Sequence, residues 1–233
     1  MIPIRDDNPI RQTPYVTIAL IAINTAVYFY QLFLGHAGNE AFIYRYGVIP
    51  YEITHFREIT GFAKFDTPFP NIFTLFSAMF IHGGFFHLFS NMLYLWIFGD
   101  NVEYILGRVR FILFYLATGI AASLLHVLMQ PSSTIPMIGA SGAISGVLGA
   151  YFLRFPKARV QVLVFFFFFV QMISIPAVFV LGFWFLIQLM NAFSSIGMPG
   201  SGGVAWFAHV GGFLAGMYLV KKMQKRPVYY WWD

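Results

Sequence analysis

The chain contains no cysteine. That excludes disulfide frameworks, thiolate metal centres and cysteine nucleophiles together, and it leaves the redox compartment unreadable. Charge is scarce as well: 10% of the 233 residues are Asp, Glu, Lys or Arg, whereas 59% are apolar. A soluble fold cannot cover its surface with so few polar groups, so the sequence describes an integral membrane protein in contact with a lipid bilayer. Aromatics make up 20% of the residues, with 29 Phe, but basic side chains never alternate with them, which argues against nucleic acid as a partner. No metal or cofactor is expected either. His82 and His87 are five apart, about 140° around a helix, which is poor for sharing an ion.

What is present are apolar runs. A span needs roughly 17–25 such residues to cross about 30 Å of hydrocarbon. The first run, 15–34, lies behind Arg5 and Arg11 and lacks a small-x-small cleavage site, so it fits a retained anchor. A mixed loop to residue 71 follows. The uncharged stretch 72–99 is too long for one straight span and is divided at Gly83-Gly84, giving a re-entrant or interfacial piece (72–82) and a second span (84–99). A charged turn (100–110), a third span (111–130), a short uncharged loop and a fourth span (139–153) come next. At fifteen residues the fourth is too short to reach both faces, so other helices must enclose it. The run 160–193 is taken as an interfacial segment and one span (174–194), and a sixth span covers 204–221. The expected fold class is therefore all-α: a polytopic, six-transmembrane-helix bundle forming a single membrane domain over 1–233, with polar tails at 1–13 and 222–233.

The distribution of Lys and Arg orients this scheme. Arg5, Arg11, Arg108, Arg110, Arg154, Lys157, Arg159, Lys221, Lys222, Lys225 and Arg226 fall on one side, eleven in all, against Arg45, Arg57 and Lys64 on the other. Both termini are thus expected in the cytoplasm of a cell-membrane protein. Spans 2, 4 and 6 then enter from the outer face, which puts Asn91, Ser141 and His209 at similar depth near their outer ends.

These three residues carry the chemical reading. Ser141 sits among Gly139, Gly142 and Gly146 at the start of span 4. A serine becomes a nucleophile only with a base to take its proton and donors to hold the oxyanion. His209, an ionisable group inside a span, is the candidate base. Gly211, Gly212 and Gly216 flank it, and small residues on spans 4 and 6 let two backbones approach closely. No Asp or Glu lies within any expected span, so a Ser–His dyad is expected and not a triad. His87 and Asn91, four apart on one helical face, suit an oxyanion hole together with the Ser141 amide. His82 is expected to hold the adjacent loop, His126 to be structural, and His36 and His55 to be solvated.

Jointly these residues resemble the rhomboid family of intramembrane serine proteases: H-x4-H-x3-N at His82, His87 and Asn91, E-x3-G at Glu103 and Gly107, G-A-S-G at Ser141, and A-H-x2-G-x3-G at Ala208, His209, Gly212 and Gly216. The resemblance implies a six-helix bundle in which Ser141 is nucleophile and His209 base, while His87, Asn91 and the Ser141 amide form the oxyanion hole. His82, Gly139, Gly142, Gly212 and Gly216 would support it. Substrates would be transmembrane proteins whose helices enter near span 5, with span 5 as gate and Ser194 to Gly203 as cap. Two departures stand out. Many members carry an aromatic four residues after the nucleophile, packed on the histidine, and here that residue is Ser145. The Trp-Arg pair of some members is absent from the first loop. The competing class is a non-proteolytic relative that binds or remodels membrane helices. A small-solute transporter would need inverted repeats and charged mid-span sites, and neither is found. The sequence sets no oligomeric state.

Overall fold

The computed structural model describes residues 2–8, 12–57, 69–166, 169–196 and 203–227. Strand β1 (Ile2–Asp6) leads into α1 (Tyr15–Phe33), followed by α2 (Gly35–Tyr46) and α3 (Pro50–His55) where a mixed loop is expected. Residues 58–68 of that loop lie outside the described residues. The piece before span 2 consists of tight turns: a 3-10 turn at Asn71–Phe73, the single helical turn α4 (Thr74–Ser77) and another 3-10 turn at Ala78–Phe80. Helices α5 (Phe85–Leu106), α6 (Arg108–Met129) and α7 (Ser141–Arg154) follow. A hairpin of β2 (Arg159–Phe166) and β3 (Phe169–Pro176) precedes α8 (Ala177–Ser194) and α9 (Trp206–Met223).

By length and apolar composition, α1, α6 and α8 each qualify as membrane spans. The turns Asn71–Phe80 together with α5, bent by 80°, make a fourth candidate. Helices α7 and α9 fall short of that test for physical reasons. With 14 residues, α7 is about 21 Å long, and α9 ends on Lys221 and Lys222. Helix α7 lies inside the bundle instead, buried without a break from Gly142 to Tyr151 and packed by α5, α6, α8 and α9, while α9 packs one face on α6, α7 and α8 and exposes Leu214 and Tyr218 on the other. The chain is a helical membrane bundle, and the short fourth helix is enclosed as its length demands.

Three boundaries differ from the sequence reading. Helix α5 runs on through Asp100 and Glu103, and the charged turn shrinks to Gly107, whose φ of 75° breaks the helix in one residue. Glu103 is buried and caps α1: its Oε2 accepts from the Thr17 amide (2.8 Å) and hydroxyl (2.9 Å), and its Oε1 from the Val16 amide (3.1 Å). A carboxylate at a helix N-terminus satisfies orphan N–H groups and complements the helix dipole. The second difference is Gly139, which precedes α7 and is not part of its glycine stripe. The third is a three-stranded antiparallel sheet ordered β1-β2-β3, absent from an all-helical expectation. Ile2 pairs with Leu163 and Asp6 with Val160, while Arg159 pairs with Pro176 across the hairpin. The interfacial segment is this hairpin, and residues 167 and 168 of its turn lie outside the described residues. Pro3 is tolerated because β1 is an edge strand.

The first residues are thereby anchored. Asn101 Nδ2 donates to Asp6 Oδ2 (3.0 Å), Asn8 Nδ2 donates to Asn101 Oδ1 (2.6 Å), and the Tyr151 hydroxyl donates to Asp6. Burial pushes the Asp6 carboxyl up to about 6; the Tyr151 hydrogen bond opposes the shift and neighbouring Asp7 adds to it.

On the facing sides of α7 and α9 the glycines do what a close crossing requires. A Cβ on Gly212 would run into the Gly142 carbonyl, one on Gly216 into the Gly146 carbonyl, and one on Gly149 into the Phe213 carbonyl. Gly212→Ala is expected to cost roughly 1–3 kcal/mol, the range for overpacking, seen as a lower thermal midpoint in detergent. Asp6 generates a pH prediction. The folded state holds its proton up to about pH 6, whereas an aspartate in the unfolded chain releases it near 3.8. Its contribution therefore falls as pH rises from about 4 to 6, by roughly 2 kcal/mol. Asp6→Asn is expected to raise the thermal midpoint at pH 7 and to leave it nearly unchanged at pH 4.

Candidate active site

The loop before α7 is pinned from below and from the side. Val48 and Met137 exchange backbone hydrogen bonds (3.0 and 2.7 Å), and the Gly139 amide donates to the Ala78 carbonyl (2.9 Å). Gly139 adopts φ 122°. A Cβ there would stand 2.7 Å from His87 Nε2, so only glycine lets the loop pass beneath that ring. Ser141 is the first residue of α7. Its amide belongs to the opening turn, where no preceding carbonyl is available to accept it.

His209 lies one turn into α9. The glycine contacts bring the helices near enough for its Nε2 to sit 2.8 Å from Ser141 Oγ. The ring's other nitrogen, Nδ1, is 2.7 Å from Gln188 Oε1 on α8. Trp184 (centroids 5.9 Å apart) and Trp206 (6.2 Å, edge-on) bracket the ring. Ser145 does not touch the imidazole: its hydroxyl donates to the Ser141 carbonyl at 2.6 Å. Sequence reasoning missed Gln188, although an amide in the apolar run of α8 was a readable signal, because such a side chain in a membrane needs a partner.

His87 and Asn91 project from the first two turns of α5 into the same cavity as Ser141 and His209, about 730 Å³ in volume. Asn91 Nδ2 is buried without a protein partner, a donor held ready at the cavity wall. His82 is elsewhere. It is fully buried, does not line the cavity, and stacks edge-on against His87 (5.1 Å). Its backbone is clamped by Gln31 of α1: the His82 amide donates to Oε1 and its carbonyl accepts from Nε2, both at 3.0 Å. Gln31, also missed, thus fixes the bend that aims α5. Gly142 packs against Ala122 of α6, where a Cβ would approach to 2.7 Å. Among the described residues, no cluster of His, Asp and Glu suited to a metal ion occurs, and no carboxylate lines the cavity. A hydroxyl–imidazole pair, an unpaired amide donor and a helix N-terminus can together bind and polarise a carbonyl. Of the loop expected to cap this cavity, Gly203 lines it, as do Val204 and Ala205 just beyond the loop, and residues 197–202 lie outside the described residues.

The model of the rhomboid domain matches residues 70–226, and the chain belongs to the rhomboid family. It is 31% identical over 162 residues to Rhomboid protein 1, mitochondrial, of Saccharomyces cerevisiae, covering 66% of this chain and 43% of that protein. It is 32% identical over 161 residues to RHOMBOID-like protein 4 of Arabidopsis thaliana, covering 67% of this chain and 35% of the relative. A shorter match, 45% over 76 residues, joins 33% of this chain to 14% of Rhomboid protease GluP of Bacillus subtilis. The chain thus spans less than half the length of each of these relatives.

The tight passage beneath His87 can be tested directly. Gly139→Ala is expected to displace the His87 ring and strain the loop, costing roughly 1–3 kcal/mol, measured as a lower thermal midpoint than that of a Gly84→Ala control, whose Cβ meets nothing within 4 Å.

Proposed function

We infer that this chain is an intramembrane serine endopeptidase that cleaves transmembrane protein substrates. The observation that carries the reading is the 2.8 Å approach of Ser141 Oγ to His209 Nε2 within a cavity large enough for a peptide segment and water. His209 takes the hydroxyl proton as Ser141 attacks the scissile carbonyl. The oxyanion is received by the Ser141 amide, Asn91 Nδ2 and His87. His209 then returns the proton to the leaving amine, and a water activated by the same imidazole hydrolyses the acyl-enzyme. Irregular backbone and polar groups are tolerated in a membrane where they line such a cavity.

A helical substrate shields its peptide bonds by its own hydrogen bonding, so cleavage falls where Gly, Pro or small residues weaken a helix near its outer end. Helix α8 is the gate. Phe179, Phe183, Met190 and Phe193 are exposed to lipid, and only Ala177, Leu181, Gln188 and Ala192 are buried, so it is the least encumbered wall of the cavity. The excess of Lys and Arg at the end of the bundle away from Ser141 supports a single domain in the cell membrane, with both termini cytoplasmic and the cavity opening outward.

Reconstituted protein is expected to cleave a single-span reporter and to be labelled by a fluorophosphonate. Ser141→Ala and His209→Ala should each reduce cleavage to background, a loss of about a thousandfold or more, and abolish labelling. Reporter binding without cleavage or labelling by the parent protein would favour a non-proteolytic helix-binding role.

A further inference from the structure

Building on the reading of Ser141 and His209 as a catalytic pair, we propose that Gln188 is a positioning residue. It holds His209 in the one tautomer and orientation that can accept the serine proton. The side chain lies in α8, 5% exposed, within an otherwise apolar stretch. Its Nε2 donates to the Trp184 carbonyl one turn earlier (3.3 Å), and its Oε1 faces His209 Nδ1 (2.7 Å). The two ends of a glutamine amide are not equivalent, since one only donates and the other only accepts. With the NH2 turned to a carbonyl, the oxygen must face the imidazole. A flipped amide would set oxygen against oxygen at Trp184.

An acceptor at Nδ1 requires Nδ1 to carry the hydrogen. In a neutral imidazole Nε2 is then bare, and Nε2 is the atom aimed at Ser141 Oγ. The geometry therefore selects the base form of the ring. The flanking rings of Trp184 and Trp206 restrain its tilt, but an aromatic face does not distinguish one nitrogen from the other. Ser145 is engaged elsewhere. Gln188 takes the place that an orienting carboxylate occupies in a three-membered site, without burying a charge in hydrocarbon. Because it comes from α8, the imidazole is oriented only while α8 lies against α9.

The test uses the full chain in liposomes with the single-span reporter, and 15N-histidine spectra of the same protein in detergent. Gln188→Met removes the acceptor at nearly constant volume, and kcat is expected to fall about ten- to a hundredfold with KM within about twofold. Gln188→Glu keeps an oxygen facing Nδ1 in either protonation state and is expected to restore most of kcat. In the spectra, His209 of the parent should carry its hydrogen on Nδ1, and in Gln188→Met both tautomers should appear. If Gln188→Met fails to fold, Gln188→Ala serves as the acceptor-free variant. An acceptor-free variant with parental kcat, an equal loss in Gln188→Glu, or an unchanged His209 tautomer in the acceptor-free protein would each overturn the role. A parent without Ser141-dependent cleavage would overturn the catalytic pair itself, and the tautomer spectra would still decide the part played by Gln188.

Discussion

The contact on which the bundle depends is backbone against backbone. Where α7 crosses α9, the Gly142 and Gly146 carbonyls rest on Gly212 and Gly216, and Gly149 receives the Phe213 carbonyl from the opposite direction. Lipid tails are as apolar as leucine, so no hydrophobic force draws two helices together within a bilayer. Association has to come from close packing and from weak Cα–H···O contacts, both of which glycine permits. The same spacing sets the approach of His209 to Ser141, because a Cβ on Gly149, Gly212 or Gly216 would push α7 and α9 apart, while one on Gly142 or Gly146 would push α7 from Ala122 and Thr118 of α6. A feature that in isolation is only a packing device therefore also sets the distance between two polar groups.

The brevity of α7 follows from its place. A helix of 14 residues enclosed by its neighbours opens on the serine, and its first residues, Ser141, Gly142 and Ala143, line the cavity. Around it, α5 and α6 supply much of the buried apolar core, including Leu95, Phe98, Phe114 and Tyr115. By contrast α8 covers one side with only a narrow buried stripe. The enclosure is firm where α5, α6 and α9 pack on α7 and lighter where α8 lies.

Much of this was legible in the residues. Apolar runs located the six expected spans to within a few positions, except that α5 continues to Leu106: Glu103 reads as a loop residue when its partner Thr17 is 86 residues away, and so does Asp100, which accepts from Asn101, itself bonded to Asp6 across 95 residues. Helices α2 and α3, with mixed composition, stood in what read as a loop. The pairing of Ser141 with His209 was expected from glycine spacing and from the cost of a histidine in a membrane. Gln188 was passed over because its role depends on a contact with another helix, which periodicity does not encode. The sheet was hidden for a different reason. A run of phenylalanines gives no alternation of polar and apolar residues, and the partner of β2 lies at the far end of the chain, where Ile2 pairs with Leu163.

The two ends of α7 illustrate opposite uses of polar groups. At the Tyr151 end the neighbours are joined: Tyr151 donates to Asp6, Asn101 donates to Asp6, and Glu103 caps α1, so β1, α1, α5 and α7 are tied by hydrogen bonds between buried or half-buried groups. At the Ser141 end, Asn91 Nδ2, both ring nitrogens of His82 and His126 Nδ1 are buried with no protein partner. Each orphan of this kind costs on the order of 1–3 kcal/mol, and an apolar side chain would avoid that cost. The hydrogen bonds around Asp6 join four elements at one end of α7, whereas beside Ser141 these donors and acceptors are left without protein partners, the kind of exception that buried polar groups seldom show. The bonded end fixes α7 to β1 and α5 through Asp6 and Asn101. The network around Asp6 meets α7 at Tyr151, ten residues of helix from Ser141, and so holds the same helix that presents the serine to the cavity.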